Sequence, residues 1–189
     1  MKRYWTADPH LGHSNIIGYC DRPYRDCHHM NTRLIDEANM RVKPDDVCVC
    51  VGDFCVRGGQ KARDWSARLN GNWVFIRGNH DKNNGVKTLC DWMFVRIGQF
   101  KVFVSHIPYF YTQEERTAKY LLPQSLIDVV ESTCDFAVCG HVHEKWGVCM
   151  DGAIPTINVG VDARSYRPMS DDELLGVYAA HPRQAREIG

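Results

Sequence analysis

The sequence 45-DDVCVCVGDF-54 places five consecutive apolar residues between two polar clusters. A continuous apolar run of this length, rich in Val, is typical of a β-strand that is buried on both faces. Four other runs have the same form, and each ends in a polar cluster. They cover residues 2–7, 73–77, 101–105 and 136–139. These five runs predict the central strands of the fold.

Patterns at helical spacing lie between the predicted strands. One follows a predicted N-cap at Asn31, a second covers residues 62–69, and a third covers residues 114–132. Strands that alternate with helices predict a layered α/β fold. Two predicted hairpins, over residues 93–104 and 145–159, make the sheets mixed.

Length and charge limit the functions that this chain can serve. Its 189 residues contain 23 Lys and Arg against 23 Asp and Glu, and a net charge of zero argues against a broad cationic surface for duplex nucleic acid. The aromatic content requires a core, which excludes a disordered chain. No apolar run reaches the roughly 18 residues of a membrane span, and no apolar signal segment opens the sequence. We therefore expect one domain over residues 1–189 and no membrane partner.

Nine cysteines are many for this length, and their number is odd. The cysteines at positions 48, 50, 139 and 149 alternate with Val or Gly in apolar runs, which predicts buried thiols that act as small hydrophobic side chains. A zinc site of cysteines is the alternative, but the sequence contains no C-x₂-C pair. Thiols of this kind favour a cytoplasmic location.

The polar clusters after the predicted strands are rich in metal-ligating residue types. Because ligand sites of α/β sheets collect at the carboxyl ends of strands, we expect the clusters to converge. Asp8 and His10 are two residues apart and point to the same side of an extended segment, where they offer two ligands to a divalent metal. Asp53 is a further candidate ligand that can bridge two ions, with a helix cap or turn aspartate as the alternative.

Histidines dominate the remaining clusters. Asn79 offers an amide oxygen to a metal, and the adjacent His80 points elsewhere and can exchange protons. His106 ends another strand, and His141 and His143 share one side of the chain. A single histidine at a strand end is more often hydrogen-bonded than metal-bound. Six of the nine histidines fall in these clusters, however, which favours a shared metal site.

In their order and spacing, the clusters resemble the calcineurin-like metallophosphoesterase superfamily. The matching motifs are D-x-H at 8–10, G-D at 52–53, G-N-H-D at 78–81, the histidine at 106 and G-H-x-H at 140–143. Flanking residues 11–17, 22–24, 158–162 and 166–168 resemble the compact subgroup found in phages and bacteria. The resemblance implies an α/β fold, a four-layer α/β/β/α sandwich with mixed sheets.

The resemblance also implies two divalent metal ions, of Mn, Fe, Zn or Ni. One ion would take Asp8, His10, Asp53 and His143, and the other would take Asp53, Asn79, His106 and His141. His80 would protonate the leaving oxygen and be oriented by Asp81. Arg57 keeps the place of a phosphate-binding arginine, although Val56 stands where protein phosphatases of the superfamily usually carry Asp.

Two further side chains are candidate substrate contacts. His13 is a candidate to touch phosphate, with an ordinary polar loop histidine as the alternative, and Asn79 is assigned to the substrate as well as to a metal. A solvated loop residue is the alternative for Arg57. Aromatic residues 109–111 and Tyr120 wall the cleft or pack in the core.

The predicted function is metal-dependent hydrolysis of phosphate esters, with phosphodiesters favoured over monoesters. A metal-activated hydroxide would attack, and His80 would act as general acid. A phosphomonoesterase and a non-catalytic metal-binding scaffold for a protein partner are the alternatives. The expected substrate is small and nucleotide-derived rather than an extended duplex, and the sequence leaves the oligomeric state open.

Overall fold

The computed structural model describes residues 1–56, 60–111 and 121–182. Its strands are β1 (Arg3–Thr6), β2 (Val47–Val51), β3 (Asn72–Ile76), β4 (Trp92–Ile97), β5 (Phe100–Ser105), β6 (Phe136–Cys139), β7 (Val148–Cys149), β8 (Thr156–Asn158) and β9 (Met169–Ser170). Its α-helices are α1 (Ile16–Tyr19), α2 (Cys27–Arg41), α3 (Ala62–Ser66), α4 (Gln124–Thr133) and α5 (Asp171–Ala180), and a 3₁₀ turn covers Val161–Arg164.

The strands form two mixed sheets. The first has the order β3-β2-β1-β9 and is parallel except for β9, and the second has the order β4-β5-β6-β8-β7. Parallel pairing aligns Thr6 with Cys50 and Val51 with Ile76 in the first sheet. In the second sheet it aligns Val104 with Val138. The carboxyl ends of these strands therefore lie together.

The alternation of side chains in β2 shows how the layers form. Val49 and Val51 belong to an apolar cluster shared by both sheets, whereas Cys48 and Cys50 belong to clusters on the outer face of the first sheet. Helices α2 and α3 cover that outer face, and α4 covers the outer face of the second sheet. The result is the four-layer α/β/β/α sandwich that the resemblance implies, with strands buried on both faces as predicted.

Helix α5 closes one edge of the space between the sheets. Ser170 and Glu173 form a capping box that satisfies two backbone donors at its start. Leu174 and Tyr178 then enter the cluster between the sheets, where Tyr178 stacks on Phe136 with ring centroids 4.6 Å apart. No helix among the described residues is long and apolar enough to cross a membrane.

Three local predictions need correction or narrowing. Helix α2 begins one turn before Asn31, because Asp26 is the N-cap and accepts from the His29 N–H; the Asn31 side chain instead accepts from the Gly12 N–H. Helix α4 begins after Pro123, and residues 114–120 of the third helical pattern lie outside the described ranges. The second hairpin pairs only β7 with β8. A single domain over residues 1–189 stays a prediction.

Candidate metal centre

The loops that carry the site leave the strands in an unusual backbone conformation. Five of the predicted metal ligands have positive φ: Asp8 (57°), His10 (49°), Asp53 (55°), His141 (71°) and His143 (51°). A non-glycine residue in this region costs about 1–3 kcal/mol, so the surrounding structure must hold it there. Two hydrogen bonds between the loops contribute, from the Asp8 N–H to the Gly52 carbonyl (3.1 Å) and from the His10 N–H to the Asp53 carbonyl (3.1 Å).

Glycines in the motifs let both carboxylates lie against neighbouring backbone. A Cβ at Gly78 would lie 2.1 Å from Asp53 Oδ1, and one at Gly140 would lie 2.5 Å from Asp8 Oδ2. Real side chains do not tolerate such distances. The glycines of G-N-H-D and G-H-x-H are therefore required for close approach.

Each buried carboxylate is anchored by one oxygen and presents the other to the imidazoles. Asp53 Oδ1 accepts from the His80 N–H at 2.8 Å, while its Oδ2 lies 3.3 Å from His106 Nε2 and 3.6 Å from His10 Nε2. Asp8 Oδ2 accepts from the His141 N–H at 2.9 Å. Asp8 Oδ1 lies 3.9 Å from the Nε2 atoms of both His10 and His106, and it has no hydrogen-bond partner among the described residues.

Asn79 joins the ligands that come from the two sheets. Its Oδ1 atom lies 3.0 Å from His106 Nε2 and 3.0 Å from His141 Nδ1. The other ring nitrogen of His106, Nδ1, lies 2.8 Å from the Val51 carbonyl, which can only accept, so Nδ1 carries a proton and Nε2 faces the site. Asn79 and His106 are thus close to the carboxylates, as the predicted convergence requires.

His10 and His143 complete the cluster on its other side. Their rings stack with centroids 5.2 Å apart, and both nitrogens of the buried His10 ring lack a hydrogen-bond partner among the described residues. His143 Nδ1 lies 2.8 Å from Asp162 Oδ2, and Asp162 is paired with Arg22. Neither Asp162 nor Arg22 is a predicted site residue, although both lie in the flanking segments that resemble the compact subgroup.

The charges of the cluster are strongly perturbed. Burial raises the pKa of Asp8 to about 6. Burial alone would lower the pKa of His106, but the carboxylates of Asp53 and Asp8 raise it to about 9, and the same contact with His106 holds the Asp53 pKa well below its usual range. Burial likewise opposes protonation of His143, yet the hydrogen bond to Asp162 raises its pKa to about 10. Protonated imidazoles thus supply positive charge beside the carboxylates.

The donor set fits a divalent cation. Ligand atoms of Asp8, His10 and His143 lie within 4.8 Å of one another, and so do those of Asp8, Asp53 and His106. Buried polar atoms are normally hydrogen-bonded, and a bound cation would satisfy Asp8 Oδ1 and the His10 nitrogens, which have no hydrogen-bond partner among the described residues. Imidazole and carboxylate ligands suit Mn, Fe, Zn and Ni better than Ca.

The remaining candidates lie around this cluster. His80 is exposed, with its ring 5.4 Å from the His10 ring, and the half-buried His13 ring lies 5.7 Å from it. Tyr111 flanks His141 with ring centroids 6.2 Å apart. Tyr109 and Phe110 pack in the outer cluster of the second sheet, as the core alternative predicts. The candidates at positions 57 and 120 lie outside the described ranges.

The expected role of Asp81 needs correction. Its carboxylate does not contact the His80 ring; Oδ2 accepts from the Asp53 and Gly78 N–H groups, both at 2.8 Å. Its Oδ1 accepts from the Phe54 N–H at 3.1 Å and from Asn84 Nδ2 at 2.8 Å. Four donors occupy this buried side chain. Asp81 therefore fixes the backbone of the loop that carries Asp53, rather than orienting His80.

The sequence is similar to a known family and to a curated relative. A family model described as the calcineurin-like phosphoesterase superfamily domain matches residues 25–168. The chain is 43% identical over 83 residues to an uncharacterised protein of Methanocaldococcus jannaschii, and the match covers 43% of this chain and 47% of that protein. The chain thus matches about half the length of this curated relative.

Solved structures with a similar fold include the following two. A protein of unknown function from Aquifex aeolicus aligns over 93% of this chain and 98% of its own, with a TM-score of 0.71 and 22% identity. An archaeal phosphodiesterase aligns over 85% of this chain and 84% of its own, with a TM-score of 0.43 and 20% identity. At these identities, the first likeness supports the fold alone.

Proposed function

The chain belongs to the calcineurin-like phosphoesterase superfamily, and from this premise we propose that it hydrolyses phosphate esters at a centre of two divalent ions, with diesters preferred to monoesters. One observation carries the proposal. Asp53 presents a carboxylate oxygen to imidazoles on both sides, His10 at 3.6 Å and His106 at 3.3 Å. A carboxylate that lies between two sets of ligands can bind both metal ions of a two-ion centre.

The proposed ligands divide into two sets that share Asp53. One set is Asp8, His10, Asp53 and His143; the other is Asp53, Asn79, His106 and His141. When bound, two divalent ions neutralise charge on a phosphoryl group and lower the pKa of water towards about 7. Mn, Fe, Zn and Ni all suit these ligands, and metal analysis of the purified protein would choose among them.

His80 is the proposed general acid. Its backbone N–H is held by Asp53 Oδ1 at 2.8 Å, while its exposed ring lies beside His10 at the mouth of the cluster. From there the imidazolium can donate a proton to the departing alkoxide. His13 and Asn79 are the proposed contacts to the phosphate among the described residues, and Arg57 is a further candidate outside the described ranges.

Turnover tests the proposal directly. The metal-free protein would be loaded with Mn, Fe, Zn or Ni and assayed with bis-p-nitrophenyl phosphate, p-nitrophenyl phosphate and cyclic and linear nucleotide esters. We expect metal-dependent hydrolysis, faster with diesters, that disappears in Asp53→Asn. Hydrolysis of monoesters alone would replace the diesterase with a phosphomonoesterase. A protein that binds metal but turns over none of these substrates would contradict catalysis and favour the scaffold for a protein partner.

The compartment and the substrate size complete the proposal. All nine cysteines lie in the described ranges as thiols without a disulfide, and six of them are buried. This supports a reducing compartment such as the cytoplasm. Balanced charge over the whole sequence supports a small, nucleotide-derived ester as substrate rather than duplex nucleic acid.

A further inference from the structure

A buried ion pair lies directly behind the proposed metal ligands. The Arg22 guanidinium holds the Asp162 carboxylate with two parallel hydrogen bonds, Nε to Oδ1 at 2.7 Å and Nη2 to Oδ2 at 2.8 Å. The side chains are 0% and 1% exposed, respectively. The two residues are 140 positions apart. Arg22 lies between β1 and β2 of the first sheet, and Asp162 lies in the 3₁₀ turn that joins β8 of the second sheet to β9 of the first, so the pair fixes these two connections relative to each other.

Arg22 also binds the loop that carries Asp8 and His10. Its Nη2 donates to the Asp8 carbonyl at 2.8 Å, and its Nη1 donates to the Pro9 carbonyl at 3.0 Å. These carbonyls belong to the turn in which Asp8 and His10 both have positive φ. One guanidinium therefore satisfies the carbonyls of a strained turn, which a lysine with its single charged nitrogen would not do in the same geometry.

Asp162 contacts His143, another proposed ligand of the same ion. Its Oδ2 lies 2.8 Å from His143 Nδ1, and an ionised carboxylate can only accept, so the proton of that nitrogen is fixed. Nε2 is then the nitrogen that we assign to the metal; the Cys20 side chain also contacts the His143 ring. The carbonyl of His143 is held as well, by Asn158 Nδ2 at 2.8 Å.

We propose that Arg22 and Asp162 are positioning residues for the ion held by Asp8, His10 and His143. The inference rests on the proposed metal centre and adds to it two residues that hold the ligands in place. Arg22 holds the D-x-H turn in place, and Asp162 orients the His143 ring. Partners of this kind are typically worth about 10–100-fold in metal affinity.

The chain offers a matched control for a merely structural ion pair. Arg3 and Asp171 form the same two-pronged contact near the other end of β1, with Nη2 to Oδ2 at 2.9 Å, and Asp171 also accepts from Trp5 Nε1 at 2.7 Å. Arg3 lies at the amino end of β1, whereas the proposed ligands follow the carboxyl ends of the strands. A change there tests stability without touching the proposed ligands.

The first experiment is a metal titration of the metal-free full chain by calorimetry, with Mn²⁺ as the probe and Mn²⁺ electron paramagnetic resonance as a second readout. In Asp162→Asn we expect one of the two ions to bind about 10–100-fold more weakly, the other within about threefold, and the coupled two-ion spectrum to be replaced by a single-ion spectrum. Asp171→Asn should leave both affinities and the spectrum unchanged. Two unchanged affinities in Asp162→Asn would overturn the inference.

Two further measurements cover the case in which Asp162→Asn does not fold. The double variant Arg22→Met with Asp162→Leu removes both charges together and should show the same selective loss of one ion. Nitrogen NMR of the wild-type histidines needs no variant: with diamagnetic Zn²⁺ in place of Mn²⁺, His143 should keep its proton on Nδ1 and show its larger shift at Nε2. A larger shift at Nδ1 instead would overturn the inference.

The result also separates this inference from the proposed function. A wild-type chain that binds one ion would contradict the two-ion centre, and weaker binding of that ion in Asp162→Asn would still support the positioning role. A chain that binds two ions and hydrolyses diesters, but is indifferent to Asp162→Asn, would keep the function and remove the role of the pair.

Discussion

Asp46 and Asp8 are buried aspartates at opposite ends of the first sheet, and their surroundings differ completely. At the amino end, Asp46 accepts from the Lys2 N–H at 2.6 Å and from the Lys43 N–H at 3.0 Å, one donor on each oxygen. These backbone donors lower its pKa. At the carboxyl end, burial raises the pKa of Asp8 to about 6, and its Oδ1 has no partner among the described residues. The first carboxylate is satisfied by its own turn; the second is left for a cation.

Backbone conformation repeats the contrast. At the amino end, the residue with positive φ is Gly71 (84°). A Cβ at this position would lie 2.6 Å from Val42 Cγ1, which leaves no room for a side chain. At the carboxyl end, positive φ falls instead on Asp and His, which pay a conformational cost that glycine avoids. At the five ligands this strain coincides with side chains that are needed for chemistry, and Asp21, Asn83, Ser165 and Tyr166 also have positive φ.

The largest expected effect is that of Asp53→Asn, the sharpest test of the cation-binding end. Loss of the shared carboxylate should weaken the binding of both ions. It should also lower kcat/KM on a diester on the order of 10³-fold or more, which corresponds to several kcal/mol of transition-state stabilisation. Metal content by mass spectrometry and turnover should fall together. A variant that keeps both ions and most of its activity would show that Asp53 is a structural aspartate like Asp46.

His80→Ala separates proton donation from metal binding. The ring lies at the mouth of the cluster, so we expect the metal content to stay at the wild-type value while kcat falls about 10²–10⁴-fold on esters with poor leaving groups. Activity on p-nitrophenyl esters should fall much less, because that leaving group needs little protonation. Equal losses on both ester types would contradict the role of His80 as general acid.

Gly140→Ala tests whether the carboxyl end depends on close backbone approach. The new Cβ would lie 2.5 Å from Asp8 Oδ2, so the carboxylate must move and metal affinity should fall about 10-fold or more. Gly176→Ala is the matched control, because nothing lies within 4 Å of that position in α5. We expect the control to bind metal normally and to gain roughly 0.4–1 kcal/mol of stability. Equal metal affinities in both variants would rule out the crowding argument.

Metal loading should release protons at the carboxyl end. His106, with its pKa raised to about 9 beside Asp53, is protonated at neutral pH in the metal-free protein, and an ion must displace its Nε2 proton. Apparent metal affinity should therefore rise as the pH increases from 6 towards 9. Calorimetry in buffers of different ionisation enthalpy measures the protons released. A pH-independent affinity without proton release would show that His106 is neutral, and would weaken the electrostatic contrast between the two ends.

Much of this contrast could be predicted from sequence, because it follows from local patterns. The apolar run at Val47–Val51 has strand length and coincides with β2, and polar clusters after parallel strands must meet at one edge. The failures have nonlocal causes. The pairing of Arg22 with Asp162 joins residues 140 positions apart, and two of the donors to Asp81 are the backbone N–H groups of Asp53 and Phe54, which are 28 and 27 positions away. Neither contact produces a spacing pattern that could be recognised in the sequence.

The smallest effect is expected at the amino end, from Asp46→Asn. The folded-state pKa of Asp46 lies below its usual value of 3.8, so its contribution to stability is present above pH 3.8 and is lost as the pH falls through the folded-state value. Thermal melts should therefore show a destabilised variant at pH 7 and a smaller difference from wild type near pH 3. Metal affinity should be unchanged, because the backbone donors of Asp46 lie at the far end of the sheet from the ligands. A loss of metal in this variant would mean that the two ends are coupled, and the contrast between a structural and a cation-binding aspartate would have to be abandoned.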